Sequence, residues 1–273
     1  MSPPLDAVPL YPAEPRLPVT PRRILRPDAV HDLRGRPVDE LRYPPTAALI
    51  FAGIPGAGKS TALHKFFGAS PEDEAPPRTP QGALVLDSHH ARNRWRHKLG
   101  RLPYPLWRPI VHVAHYAGIR EALREASGPV VIHDCATFGW ARTMIGRWAE
   151  KYHREMHVVL LDVPADDAMA GQRARGRRVN GVSFRLHVRR WHRLVGAVAV
   201  EALAARCASI VIADRSTVNT IGAVTFTAAP PDHSATEPRR ERTVVTMESV
   251  SRQLDSTSDT DPTDGGASAR DTA

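Results

Sequence analysis

An apolar run at residues 47–52 leads straight into Gly53-Ile54-Pro55-Gly56-Ala57-Gly58-Lys59-Ser60, followed by Thr61. Every position of the G-x-x-x-x-G-K-[ST] phosphate-loop pattern is filled, and the context of strand, loop and then helix is the one the motif requires. The glycines let the backbone wrap a phosphate chain with its N–H groups pointing inward. The start of the following helix adds partial positive charge at the same place. The motif predicts a nucleoside triphosphate site on Gly53, Ile54, Pro55, Gly56, Ala57, Gly58, Lys59, Ser60 and Thr61. Lys59 would bridge the terminal phosphates of ATP, and the Ser60 hydroxyl would ligate Mg²⁺.

The rest of the middle region alternates in the same way. Strand-like apolar runs fall at 83–87, 130–133, 158–163 and 209–213, with a further edge strand at 224–227. Helical periods fall at 110–126, 140–154 and 183–207. Short, wholly apolar strands separated by helices predict an α/β three-layer sandwich with a parallel sheet of about five strands. Ligands of such folds bind at the carboxyl ends of the strands.

Composition divides the chain. Prolines at 3, 4, 9, 12, 15, 18, 21 and 27 forbid regular helix through most of residues 1–45, which read as an extended arm with one weak helical turn near 28–33. From residue 228 onward the chain is rich in Ser, Thr, Asp and Gly and reads as a disordered acidic tail. The formal charge of the whole chain is +8. The tail carries a net −4, which leaves +12 on the body, the expected phosphate-loop domain at 46–227. A basic body fits phosphate-bearing ligands, but 33 of the 37 basic residues are Arg, a bias that genome composition also produces, so nucleic acid is not favoured on charge alone. No apolar h-region opens the sequence and no stretch reads as a membrane span, so the chain is expected in the cytoplasm. Two cysteines, Cys135 and Cys207, are too few for a disulfide framework or a thiolate zinc site.

The other strand ends narrow the class. No Asn-Lys-x-Asp guanine-reading motif and no Ser-Gly-Gly-Gln signature occur, and Cys135 follows Asp134 where a motor-type ATPase usually places Glu. Asp87 closes the second strand, where a carboxylate would face the γ-phosphate and align an acceptor hydroxyl. The same residue also reads as a helix N-cap, and the two roles are compatible. Arg92, one turn into the next helix, is placed to hold an anionic acceptor. Arginines at 173, 175, 177 and 178 form a segment that reads as a lid supplying guanidinium groups to the transferring phosphoryl, with a solvated basic face as its plainer reading. His112 and His115 lie one helical turn apart, but no third ligand of suitable spacing accompanies them, so they read as surface or packing histidines. Trp107, Trp140, Trp148 and Trp191 are spaced as core or helix-packing residues, not as a base-stacking platform. Asp214-Arg215 falls where the chain would approach an adenine.

The phosphate loop, the strand-end Asp with a nearby Arg, and the Gln172-to-Arg177 segment together resemble the polynucleotide kinase and zeta-toxin branch of phosphate-loop kinases, which are often labelled AAA-family ATPases. The resemblance spans about 45–227. It implies ATP and Mg²⁺ as cofactors, with an unidentified hydroxyl compound as phosphoryl acceptor. It also implies Lys59, Arg173 and Arg177 as catalytic cations, and Asp134 beside Ser60 on the metal. The family's acceptor base lies three residues before the Arg. That position is His89 here, with Asp87 two residues earlier. Either takes the role, or transfer is lost and the chain is an ATP-hydrolysing switch that binds a protein or nucleic-acid partner.

Overall fold

The fold was taken from a computed structural model, which describes residues 22–134, 138–174, 181–196, 203 and 206–228. Nine strands run in the order β1 (Ile24–Leu25), β2 (Val30–Asp32), β3 (Glu40–Tyr43), β4 (Ala48–Gly53), β5 (Leu84–Leu86), β6 (Val130–Asp134), β7 (Met156–Leu161), β8 (Ser209–Ala213) and β9 (Ala223–Phe226). The helices are α1 (Lys59–Phe67), α2 (Ser88–Leu99), α3 (Tyr104–Glu125), α4 (Gly139–Lys151), α5 (Ala165–Arg173), α6 (Gly181–Val195) and α7 (Arg215–Thr220).

Six strands form one sheet in the order β2-β8-β7-β4-β6-β5, and every pairing is parallel. All residues of β4, β7 and β8 are buried. Because successive side chains point to opposite faces, full burial means that both faces are covered, as in a three-layer α/β sandwich. The sheet has one strand more than the expected five. The addition is β2, which pairs Val30 with Ile210 and Asp32 with Ile212 where a helical turn was expected. A second parallel sheet joins β1, β3 and β9. Paired structure therefore begins at Ile24, inside the stretch that reads as a proline-rich arm. Residues 1–21 and 229–273, the remainder of the expected arm and tail, lie outside the described residues.

Register sets the site. Ala52 of β4 lies opposite both Asp134 of β6 and Leu160 of β7, so the phosphate loop leaves the centre of the sheet with Asp134 alongside. Leu86 of β5 lies opposite Ile132, which brings the next residues, Asp87 and His133, out side by side. Helix α3 begins six residues ahead of its expected start, and the reason is local. Pro105 falls in the first turn, where its missing N–H costs nothing, and Pro109 forfeits only one helical hydrogen bond.

Candidate active site

The phosphate loop is held by its own backbone and by α5. Gly56 and Gly58 have φ of +91° and +102°, a region that favours glycine. Lys59 opens α1, with its Nζ donating to the carbonyls of Gly53 at 2.6 Å and Ile54 at 3.1 Å. On the other side, Gln172 Nε2 donates to the Pro55 carbonyl at 3.0 Å. A Cβ on Gly56 would lie 2.0 Å from the Ala168 carbonyl oxygen, so α5 packs directly on the loop.

Two cavities meet the loop. The first, about 310 Å³, runs from Gly56, Gly58 and Thr61 to Gly171, Arg215 and Asn219. Its floor is fixed by Lys65, whose Nζ donates to the carbonyls of Val218 at 3.0 Å and Asn219 at 2.8 Å. The second, about 500 Å³, has Pro55, Lys59 and Ser60 on one wall, with His89, His133 and Asp134 on another. Tyr104, Arg108, Tyr116, Phe138 and Trp140 complete it, together with His112, His115 and His187.

Asp87 stands behind the second cavity as the N-cap of α2. Its Oδ1 accepts from the His89 N–H at 3.0 Å, and its own N–H donates to His90 Nδ1 at 3.3 Å. Its Oδ2 lies 2.7 Å from His133 Nδ1 and 3.5 Å from His89 Nδ1. Burial works against ionisation of Asp87. The charge of His133 and the contacts from both rings outweigh it and hold the carboxyl well below the usual carboxylate range. With Nδ1 of each ring turned to Asp87, Nε2 lies on the far side of both rings. A carboxylate on the Nδ1 side of both rings acts on them as a close negative charge, which favours a proton taken up on either ring.

The other histidines of the cavity are the buried His115, the half-buried His187 and the exposed His112. Burial pushes His115 down to about 4, against the pull of Asp134 and Asp87. Burial also lowers His112, assisted by Arg108, and lowers His187, assisted by Arg190. These rings are neutral at neutral pH and serve as walls and hydrogen-bonding groups. No group of three or more His, Cys, Asp or Glu placed to hold a metal occurs among the described residues. Ser60 and Asp134, one hydroxyl and one carboxylate on the same cavity, are the hard oxygen donors that suit Mg²⁺ when phosphates and water complete its shell.

Residues 49–201 match the family described as AAA domain, which is more than half of the chain. The chain belongs to the AAA domain family. No curated protein matches it. Among solved structures, this AAA domain protein is similar to the tunicamycin resistance protein of Deinococcus radiodurans, at 18% identity and a TM-score of 0.37 over 59% of this chain and 95% of that one. It is similar to a structure from the PezAT chromosomal toxin–antitoxin system of Streptococcus pneumoniae, at 14% identity and a TM-score of 0.46 over 64% of this chain and 69% of that one. A gluconokinase from Sinorhizobium meliloti 1021 gives 16% identity and a TM-score of 0.40 over 66% of this chain and 89% of that one.

Within this AAA domain, Lys59, Ser60, His89 and Asp134 line one cavity, with Asp87 directly behind. Arg92 is not itself in the lining, and its guanidinium lies 4.6 Å from the ring centroid of Tyr104, which is. Arg173 is exposed and its Nη2 lies 3.3 Å from Met169 Sδ on its own helix. Arg177 and Cys135 lie outside the described residues. His133 was not singled out from sequence, although its place beside the strand-end Asp134 carried the signal. Trp140 departs from its expected packing role, with 59% of its surface exposed at the cavity. No helix among the described residues is long and apolar enough to cross a membrane.

Proposed function

We propose that the chain is an ATP-dependent phosphotransferase that moves the γ-phosphoryl group of ATP to a hydroxyl compound held in the 500 Å³ cavity. The observation that carries this reading is that the Asp87-backed pair His89 and His133 lines the same cavity as Lys59 and Ser60. A hydroxyl bound there would meet a base on one side and the end of a triphosphate on the other.

The triphosphate lies along Gly53–Thr61, and the cavity between Gly171 and Arg215 receives the base of ATP. Ser60 and Asp134 would hold Mg²⁺, which when bound would neutralise charge on the phosphate oxygens. His89 accepts the acceptor's proton, and the charge of Asp87, 3.5 Å away, stabilises the imidazolium that forms. The acceptor oxygen forms its bond to the γ-phosphorus as the bond from that phosphorus to the bridging oxygen of ADP breaks. Lys59 spreads the charge that develops, and Arg173 adds to that stabilisation. The products are ADP, the phosphorylated acceptor and one proton.

The test is γ-labelled ATP with a panel of hydroxyl acceptors, comparing the native chain with Lys59→Ala. Label should pass to an acceptor with the native chain and not with the variant. Label released only as free phosphate across the panel would favour the ATP-hydrolysing switch. Unchanged turnover in Lys59→Ala would remove the phosphate loop from the reaction.

A further inference from the structure

Trp140 is the second residue of α4, and more than half of its surface is exposed, at 59%. A Trp ring is among the most valuable groups to bury, so an exposed one at a cavity is placed for a ligand more readily than for the core. Its ring centroid lies 5.3 Å from that of Tyr116, edge to face, and 6.3 Å from that of Phe138. These contacts fix the indole from two sides. Phe138 is itself braced by Arg190, whose guanidinium lies 5.0 Å from the ring centroid. Three rings from α3, the start of α4 and the turn before it therefore stand together in the cavity that Lys59 and Ser60 also line.

The polar inventory of the cavity is as informative. Its lining contains no Asn, Gln or Glu among the described residues, and its one lining carboxylate, Asp134, stands beside the phosphate loop. A polyol needs such paired acceptors and donors to replace its water. A polycation would meet Arg108 and Lys59. The remaining partners are aromatic faces, imidazoles and the hydroxyls of Ser60, Ser88, Tyr104 and Tyr116, so the ring faces suit a flat ring and the scattered hydroxyls its few polar atoms.

We propose that Trp140, with Tyr116 and Phe138, selects the phosphoryl acceptor, and that the acceptor is a small uncharged hydroxyl compound carrying a planar unsaturated ring. An uncharged nucleoside and an arylalkyl alcohol share this chemistry. The proposal rests on the phosphotransferase reading of the same cavity. The ring lies against Trp140 and its hydroxyl reaches towards His89.

Calorimetric titration of the full chain with uridine, 2-phenylethanol, gluconate and kanamycin tests it without turnover. Uridine or 2-phenylethanol should bind more tightly than gluconate and kanamycin. Trp140→Leu should weaken that binding about ten-fold, the scale of a lost ring-stacking contact, and Trp140→Phe should restore most of it. Binding of uridine alone would narrow the class to nucleosides. Binding of both ring compounds would show that the ring suffices. Tighter binding of gluconate or kanamycin, no binding of either ring compound, or an unchanged affinity in Trp140→Leu would overturn the proposal. Ring binding lost in Trp140→Leu without any transfer of label would sustain the Trp140 site while refuting phosphoryl transfer.

Discussion

His133 Nδ1 lies 2.7 Å from Oδ2 of Asp87, a contact built by sheet register. Leu86 and Ile132 pair across β5 and β6, so the residues that follow them leave the sheet as neighbours. Asp87 thereby serves three groups, capping α2 through Oδ1 and facing both His133 and His89 through Oδ2.

Asp87→Asn separates these roles. Asn caps a helix about as well as Asp, so the start of α2 is retained while the negative charge is lost. Phosphoryl transfer is expected to fall by about 10²- to 10⁴-fold, the usual worth of a positioned acid–base system, and the melting temperature should fall too, because the buried carboxylate that the histidines hold ionised is lost. Steady-state rates and a thermal melt of the same preparation check this. An unchanged rate would confine Asp87 to capping.

Gly56 carries a second prediction. Its φ of +91° already disfavours a side chain, and a Cβ there would lie 2.0 Å from the Ala168 carbonyl oxygen. Gly58 has a similar φ of +102°, but its Cβ would meet nothing within 4 Å. Gly56→Ala must therefore push α5 off the loop and break the Gln172 contact to the Pro55 carbonyl, whereas Gly58→Ala bears only the backbone cost. Gly56→Ala should lose stability beyond the roughly 1–3 kcal/mol of a strained backbone, and lose ATP affinity more than Gly58→Ala does. Urea unfolding and calorimetric ATP titration of both variants decide it. Equal losses in the two would mean that α5 does not bear on the loop.

The strand carrying the phosphate loop was legible because its signals agree: a fully apolar run, glycines at fixed offsets and a helix start. Strand β2 was not, because Val30-His31-Asp32 has one apolar residue and follows Pro27. It becomes a strand only by pairing with the apolar edge of β8. His133 was obscured because its value lies in a neighbour from another strand. Trp140 reads as a packing residue because spacing alone does not distinguish the buried face of a helix from the wall of a cavity. Position alone assigns Arg92 to an anionic acceptor and says nothing of the Tyr104 ring on which its guanidinium rests.

Acid should weaken the fold through its buried histidines. His157 is buried, has its Nδ1 2.8 Å from Ser209 Oγ and lies edge to face with Tyr43 at 5.1 Å. Burial pushes it down to about 4, as it does His115. Above the ordinary histidine value of about 6.5, both are neutral whether folded or unfolded, and neither affects stability. As pH falls below that value, the unfolded chain takes up protons that the folded chain refuses until about pH 4. The folded state therefore loses stability across this window, by about 2 kcal/mol per histidine at pH 5. The carboxylates with lowered values, Asp32, Glu40, Asp87 and Asp214, act at lower pH and leave the interval between pH 5 and 7.5 to the histidines. Urea unfolding at pH 7.5 and pH 5.0 should show the drop, and His157→Gln should make it smaller, since an amide accepts no proton in that range. Equal stability at the two pH values in the native chain would mean that these rings reach solvent and protonate without opening the core.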